Sequence, residues 1–141
     1  MGIVVEAAYG IYLLILSVMD VLRKEIPMNW LIGGIVFVPL GFAAEGTGMV
    51  LAHVLGLIPG LLFMFISFAS HGQVGMADAA VLTVMGASFC LGQVITVIAV
   101  SLFTIAFVSM FLLMTGKLNR KSTLPYIPFI ALGYGVSIFI R

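Results

Sequence analysis

The sequence predicts an all-α polytopic membrane protein, a bundle of about six transmembrane helices. Three observations predict it. Hydrophobic residues make up 63% of the 141-residue chain, charged residues 8%, and the mean hydropathy is +1.32. A soluble domain carries about 25% charged residues, and one this small could not hide so much apolar surface. The apolar residues also fall into runs separated by short polar loops, and from Ala79 to Thr115 no residue is charged. The chain reads as one domain, residues 1–141, with no soluble domain.

The first run, Ile3 to Met19, is broken only by Glu6 and small polar groups and ends at Asp20. At 1.5 Å per residue it reaches about 25 Å, enough for a short span. It lacks a basic leader and reads as a retained helix, not a signal peptide. Val21 to Met28 is a polar connector interrupted by Pro27. A second span runs from Asn29 to Ala44, with Asn29 as its expected cap and Trp30 at the interface. Glu45 to Gly48 forms a turn. A third span runs from Met49 to Ala69, with Pro59 expected to bend it. Ser70 to Ala77 is a glycine-containing loop that leads to Asp78.

A single helix from Ala79 to Thr115 would extend about 55 Å, well beyond a hydrocarbon core of about 30 Å. Two helices are expected instead, with the break between Cys90 and Gln93 and Gly92 and Gln93 as its weak points. The first of these, Ala79 to Phe89, is short enough to be re-entrant. A basic loop, Gly116 to Thr123, precedes a last span from Leu124 to Ile140.

Charge supplies an independent check. Arg23 and Lys24 lie in the first loop, and Lys117, Arg120 and Lys121 in the last. The positive-inside rule places both loops in the cytoplasm, which requires an even number of crossings between them. Spans two to five supply four, so full crossing by Ala79 to Phe89 is preferred. Both termini are then extracytoplasmic. No basic patch suited to nucleic acid is present. The lone Cys90 excludes an internal disulfide, and His53 and His71 have no metal-ligand spacing, so no metal or cofactor is expected.

The chain has two aspartates, Asp20 and Asp78. This topology places both at the cytoplasmic border. Acidic groups there are costly unless they meet water or partners. If they meet, one carboxyl holds a proton while the other stays charged. The charged one takes a proton from water and the neutral one donates to a peptide carbonyl, which is metal-free aspartic-protease chemistry. Position and charge alone favour plainer roles: Asp20 ends a helix in solvent and Asp78 caps the next.

Three stretches together resemble the type IV prepilin peptidases, including the archaeal preflagellin peptidases. Asp20 to Pro27 followed by Asn29-Trp30-Leu31 is similar to the family's first aspartate, its basic stretch and its Ile-Pro-Asn helix start. Gly75-Met76-Ala77-Asp78 resembles Gly-x-Gly-Asp, and Pro125 to Gly133 resembles the final helix. The resemblance implies a membrane aspartyl endopeptidase that cuts the basic leader from prepilin-like or preflagellin-like substrates at the cytoplasmic face, usually after glycine. Asp20 and Asp78 would be catalytic, with Gly75, Ala77 and Pro27 as supporting motif positions. Methyl transfer is not implied, because the cysteine-bearing insertion of the larger bacterial enzymes has no counterpart here. Three departures stand out: Ala77 replaces the second glycine, Ala80 replaces a common lysine, and Met28 separates Pro27 from Asn29. Were positive φ needed at position 77, alanine would cost about 1 kcal/mol or more.

Arg23 and Lys24 are expected to contact lipid headgroups or tune the charge around Asp20, and Glu25 to meet a basic leader. Gly72 and Gly75 are expected to bend the loop. Two other readings stay open: a non-catalytic assembly factor descended from such peptidases, and a small transporter using both aspartates as a proton or cation relay.

Overall fold

The computed structural model describes residues 2–46, 48, 50–71, 75–117 and 124–140, without the side chain of residue 45. Among these residues the chain forms α-helices and no strands: α1 (Gly2–Arg23), α2 (Met28–Gly34), α3 (Phe37–Glu45), α4 (Val50–Ala69), α5 (Met76–Ser88), α6 (Leu91–Met114) and α7 (Ile127–Ile140). α1, α4 and α6 are each long and apolar enough to cross a membrane. The protein is a polytopic α-helical bundle, as expected.

α2 and α3 are one traverse with a break, and Pro39 explains it. Proline has no N–H to give the Ile35 carbonyl, and its ring crowds that carbonyl. The Ile35 carbonyl instead accepts from Val38 N–H at 3.1 Å, and Ile35 N–H donates to the Ile32 carbonyl at 3.0 Å. Tighter i→i−3 bonds thus replace the regular ladder at the break. The expected Asn29 cap is corrected: Pro27 is the N-cap, without a side-chain hydrogen bond, and Asn29 lies inside α2. Pro59 is carried inside α4 without ending it.

The α5–α6 break falls at Phe89 and Cys90, both extended (φ −129°, ψ 166° and φ −73°, ψ 157°). Gly92 and Gln93 are not its hinge, because both lie in the first turn of α6. At 1.5 Å per residue the 13-residue α5 spans only about 20 Å. It lies against α2, α3, α4 and α6 and buries Ala79, Val81, Leu82, Met85, Gly86 and Ser88. A short helix sheathed by protein rather than lipid meets the backbone requirement of the bilayer.

Small residues let these helices approach. A Cβ on Gly56 or Gly86 would run into the other's backbone carbonyl, and one on Gly60 into the backbone of Thr83. These contacts run antiparallel along α4 and α5. A Cβ on Gly133 of α7 would come within 2.7 Å of the Val97 carbonyl of α6. Gly33 and Gly135 make no such approach, whereas Gly41, whose Cβ would meet the Ser88 backbone, does.

The core joins α1 (Tyr9, Leu13, Leu16), α5 (Val81, Leu82, Met85), Phe89, α6 (Val94, Val97) and α7 (Ile127, Ile130, Tyr134). Tyr9 stands at its centre. Its ring packs edge-on against Phe37, Phe89 and Tyr134 at 5.1–5.3 Å, and its hydroxyl donates to the Val81 carbonyl at 3.3 Å. Tyr134 donates to the Glu6 carbonyl at 3.0 Å. The C-terminal part of α7 therefore lies beside the N-terminal part of α1.

Candidate functional site

The apolar stripes of the core run out at the opposite end of the bundle, and each gives way to a polar group. On α1, Tyr9, Leu13 and Leu16 continue at helical spacing to Asp20. On α5, Met85, Leu82 and Val81 lead back to Asp78 in the first turn. On α6, Val94 and Val97 lead to buried Ser101. On α7, Ile130 and Ile127 follow Tyr126. Spacings of three and four keep each set on one helix face. Asp20, Asp78, Ser101 and Tyr126 therefore gather where these four faces converge.

The charges of Asp20 and Asp78 lie close enough to act on each other, and Asp78 also acts on the Tyr126 phenol. The backbone N–H of Ile127 lies near the Asp20 carboxyl. Asp20 Oδ2 is buried and has no hydrogen-bond partner among the described residues. Tyr126 and Ser101 hydroxyl oxygens are 2.8 Å apart, and Ser101 Oγ donates to the Ile98 carbonyl at 3.0 Å. Both aspartates are half-buried.

The plain N-cap role for Asp78 is corrected. Gly75 is the N-cap of α5, with no side-chain hydrogen bond, and the Asp78 carboxyl folds back over it. A Cβ on Gly75 would collide with that carboxyl. Gly75 has φ −59°, a value open to any residue; what it provides is room for the carboxyl. Ala77 sits within α5 at a negative φ. The condition under which alanine would strain the motif therefore does not arise, since helical alanine is favourable.

The supporting residues lie outside this pocket. Arg23, Lys24, Glu25 and Pro27 are all exposed. Lys24 adopts φ 53° just past the end of α1, and its N–H bonds the Asp20 carbonyl at 2.9 Å. Lys117 is exposed beyond α6; Gly72, Arg120 and Lys121 lie outside the described residues. A cleft of ≈ 490 Å³ beside the start of α5 is lined by Ser67, Phe68, Ala69, His71 and Met76. Among the described residues, no three His, Cys, Asp or Glu side chains group as metal ligands.

Ser101 lies outside the stretches that the sequence singles out, and Tyr126 and Ile127 enter only as part of the last resemblance. The one signal for Ser101 is a hydroxyl in line with Val94 and Val97 within an apolar run.

Fold and site define a multi-span helical membrane protein whose two aspartates lie at one end of the bundle, near enough for their charges to act on each other. No family model, curated protein or solved structure matches the chain.

Proposed function

We propose that the protein is a membrane aspartyl endopeptidase that removes the basic leader from prepilin-like or preflagellin-like membrane proteins at the cytoplasmic face. The observation that supports this reading is the action of the Asp20 charge on Asp78 at one end of the bundle. Two carboxyls that act on a scissile bond as a pair share one proton. The charged carboxyl accepts a proton from water as the water oxygen bonds to the scissile carbonyl carbon. The neutral carboxyl gives its proton to the carbonyl oxygen. As the diol collapses and the C–N bond breaks, the departing nitrogen takes the first proton and the second carboxyl recovers its own. No covalent enzyme intermediate forms.

Charge sets the orientation. Arg23, Lys24 and Lys117 stand at the same end as the aspartates and assign it to the cytoplasm. Access comes from the membrane side. The last turns of α6 continue past the start of α7 and carry an exposed aromatic row, Phe103, Phe107 and Phe111. The substrate enters laterally from the bilayer and presents its leader junction to the carboxyls. Exposed Glu25 meets the basic leader.

The test is cleavage of a prepilin-like membrane substrate in detergent containing chelator. Cleavage by the native chain, lost in both Asp20→Asn and Asp78→Asn, supports the proposal. Aspartate-dependent ion flux in sealed vesicles without any cleavage replaces it with a transporter, and neither activity leaves the assembly-factor reading.

A further inference from the structure

α2 bridges the two helices that carry the aspartates. It packs on α5, and the Tyr12 hydroxyl of α1 donates to the Trp30 carbonyl of α2 at 2.8 Å. Tyr12 lies about two turns before Asp20 on α1. On the other side, α2 and α3 run parallel to α5, with Gly41 of α3 against the Ser88 backbone. Leu31 precedes Gly41 by as many residues as Asp78 precedes Ser88, so Leu31 stands close to the level of Asp78.

The two halves of this traverse are held very differently. α2 buries Gly34 alone, leaves Met28, Trp30 and Ile32 exposed, and rests Leu31 on the edge of the core. α3 is fixed: Phe37 packs edge-on against Tyr9 at 5.1 Å, and Gly41 has no room for a Cβ beside Ser88. Between them the Ile35, Val36 and Val38 N–H groups make i→i−3 bonds in place of the regular ladder. A short helix joined to a fixed one through such a break can swing as a rigid unit and keep its own backbone bonds. The swing gives up the Tyr12–Trp30 bond and the seat of Leu31. Gly34 makes room for that bond, since a Cβ there would lie 2.6 Å from the Tyr12 hydroxyl oxygen.

We propose that α2 is a lateral gate: Tyr12 latches it across α1 and α5, and its swing about residues 35–38 admits the leader junction of a membrane substrate to the carboxyls. This rests on the peptidase reading above and names the route by which the substrate arrives. One hydrogen bond within the membrane shifts an equilibrium about twofold to tenfold. The latch therefore biases the gate toward closed without locking it, and the open fraction scales the apparent affinity for substrate.

The test is steady-state cleavage of a prepilin-like membrane substrate by the full chain in lipid vesicles. Tyr12→Phe keeps the ring and removes the donor; it should lower KM about twofold to tenfold with kcat unchanged. Gly34→Ala, whose methyl meets the phenol, should do the same, whereas Gly33→Ala, with nothing within 4 Å of its Cβ, should match the native chain. Both changes replace glycine by alanine within α2, so the contrast isolates the latch. A tyrosine with a purely structural role would lose activity together with stability. As a second measurement, Tyr12→Cys and Gly34→Cys are joined by a short reducible bis-thiol reagent in a Cys90→Ser chain, Cys90 being the one native cysteine. Cleavage should be lost on linking and return on reduction, which also shows that the fold is intact. An unchanged or raised KM in Tyr12→Phe, or full cleavage by the linked protein, overturns the gate and leaves entry along α6, while the loss of cleavage in the aspartate variants stands. Cleavage that survives in both Asp20→Asn and Asp78→Asn overturns the parent reading, and the gate with it.

Discussion

Asp20 and Asp78 occupy the same end of two antiparallel helices, each about one turn beyond the last core residue on its own face, Leu16 on α1 and Val81 on α5. Their shared placement follows from core packing, because the faces of the core that hold Tyr9, Leu13 and Leu16 on α1 and Val81, Leu82 and Met85 on α5 carry the carboxyls at their ends. A single span that slips in register would separate the pair, so packing far from the carboxyls should control activity.

Gly75 provides the sharpest local prediction. A methyl group there meets the Asp78 carboxyl and forces it out of its rotamer, at about 0.5–1.5 kcal/mol. Gly75→Ala should reduce cleavage by about threefold to tenfold with little change in the unfolding temperature. Ala77→Gly, which restores the motif glycine, should not raise activity. It should weaken α5 by about 1 kcal/mol, read as a lower midpoint in thermal unfolding in detergent. A gain in cleavage would contradict the helical role of Ala77.

The α4–α5 contact predicts a contrast between glycines. Gly86→Val pushes a branched side chain into the Gly56 backbone and should destabilise the bundle by about 1–3 kcal/mol or more. Gly135→Ala, with nothing within 4 Å of its Cβ, should leave the unfolding temperature within error and serves as the control. Loss of cleavage in Gly86→Val should accompany loss of folded protein.

Cleavage should follow a bell-shaped pH profile. At low pH both carboxyls are protonated and no base remains; at high pH both are charged and no acid remains. Steady-state rates across pH, with enzyme integrity checked at each point, read this out. Activity that rises without a limit toward alkaline pH would point to another catalytic group.

Much of this was legible in the sequence because hydropathy runs and charge placement respond directly to the bilayer. The spans, the loops and the shared end of Asp20 and Asp78 all follow from those two signals. Finer features depend on backbone geometry that composition does not carry. The break in the second traverse comes from Pro39, which hydropathy does not set apart from its apolar neighbours. The α5–α6 junction lies at Phe89 and Cys90, ahead of the glycine expected to mark it. Ser101 and Tyr126 were hidden for a different reason: a hydroxyl in an apolar helix usually bonds its own backbone, and only the packing of α6 on α7 brings these two oxygens together.

The most direct measurement is a double-mutant cycle on Asp20 and Asp78, scored by cleavage of a membrane-reconstituted prepilin-like substrate. Each single change to asparagine should lower the rate by at least about 100-fold, and the double variant should be no slower than the worse single one, because the two carboxyls act as a unit. Full additivity of the two losses, or cleavage that persists when both are replaced, would contradict the account.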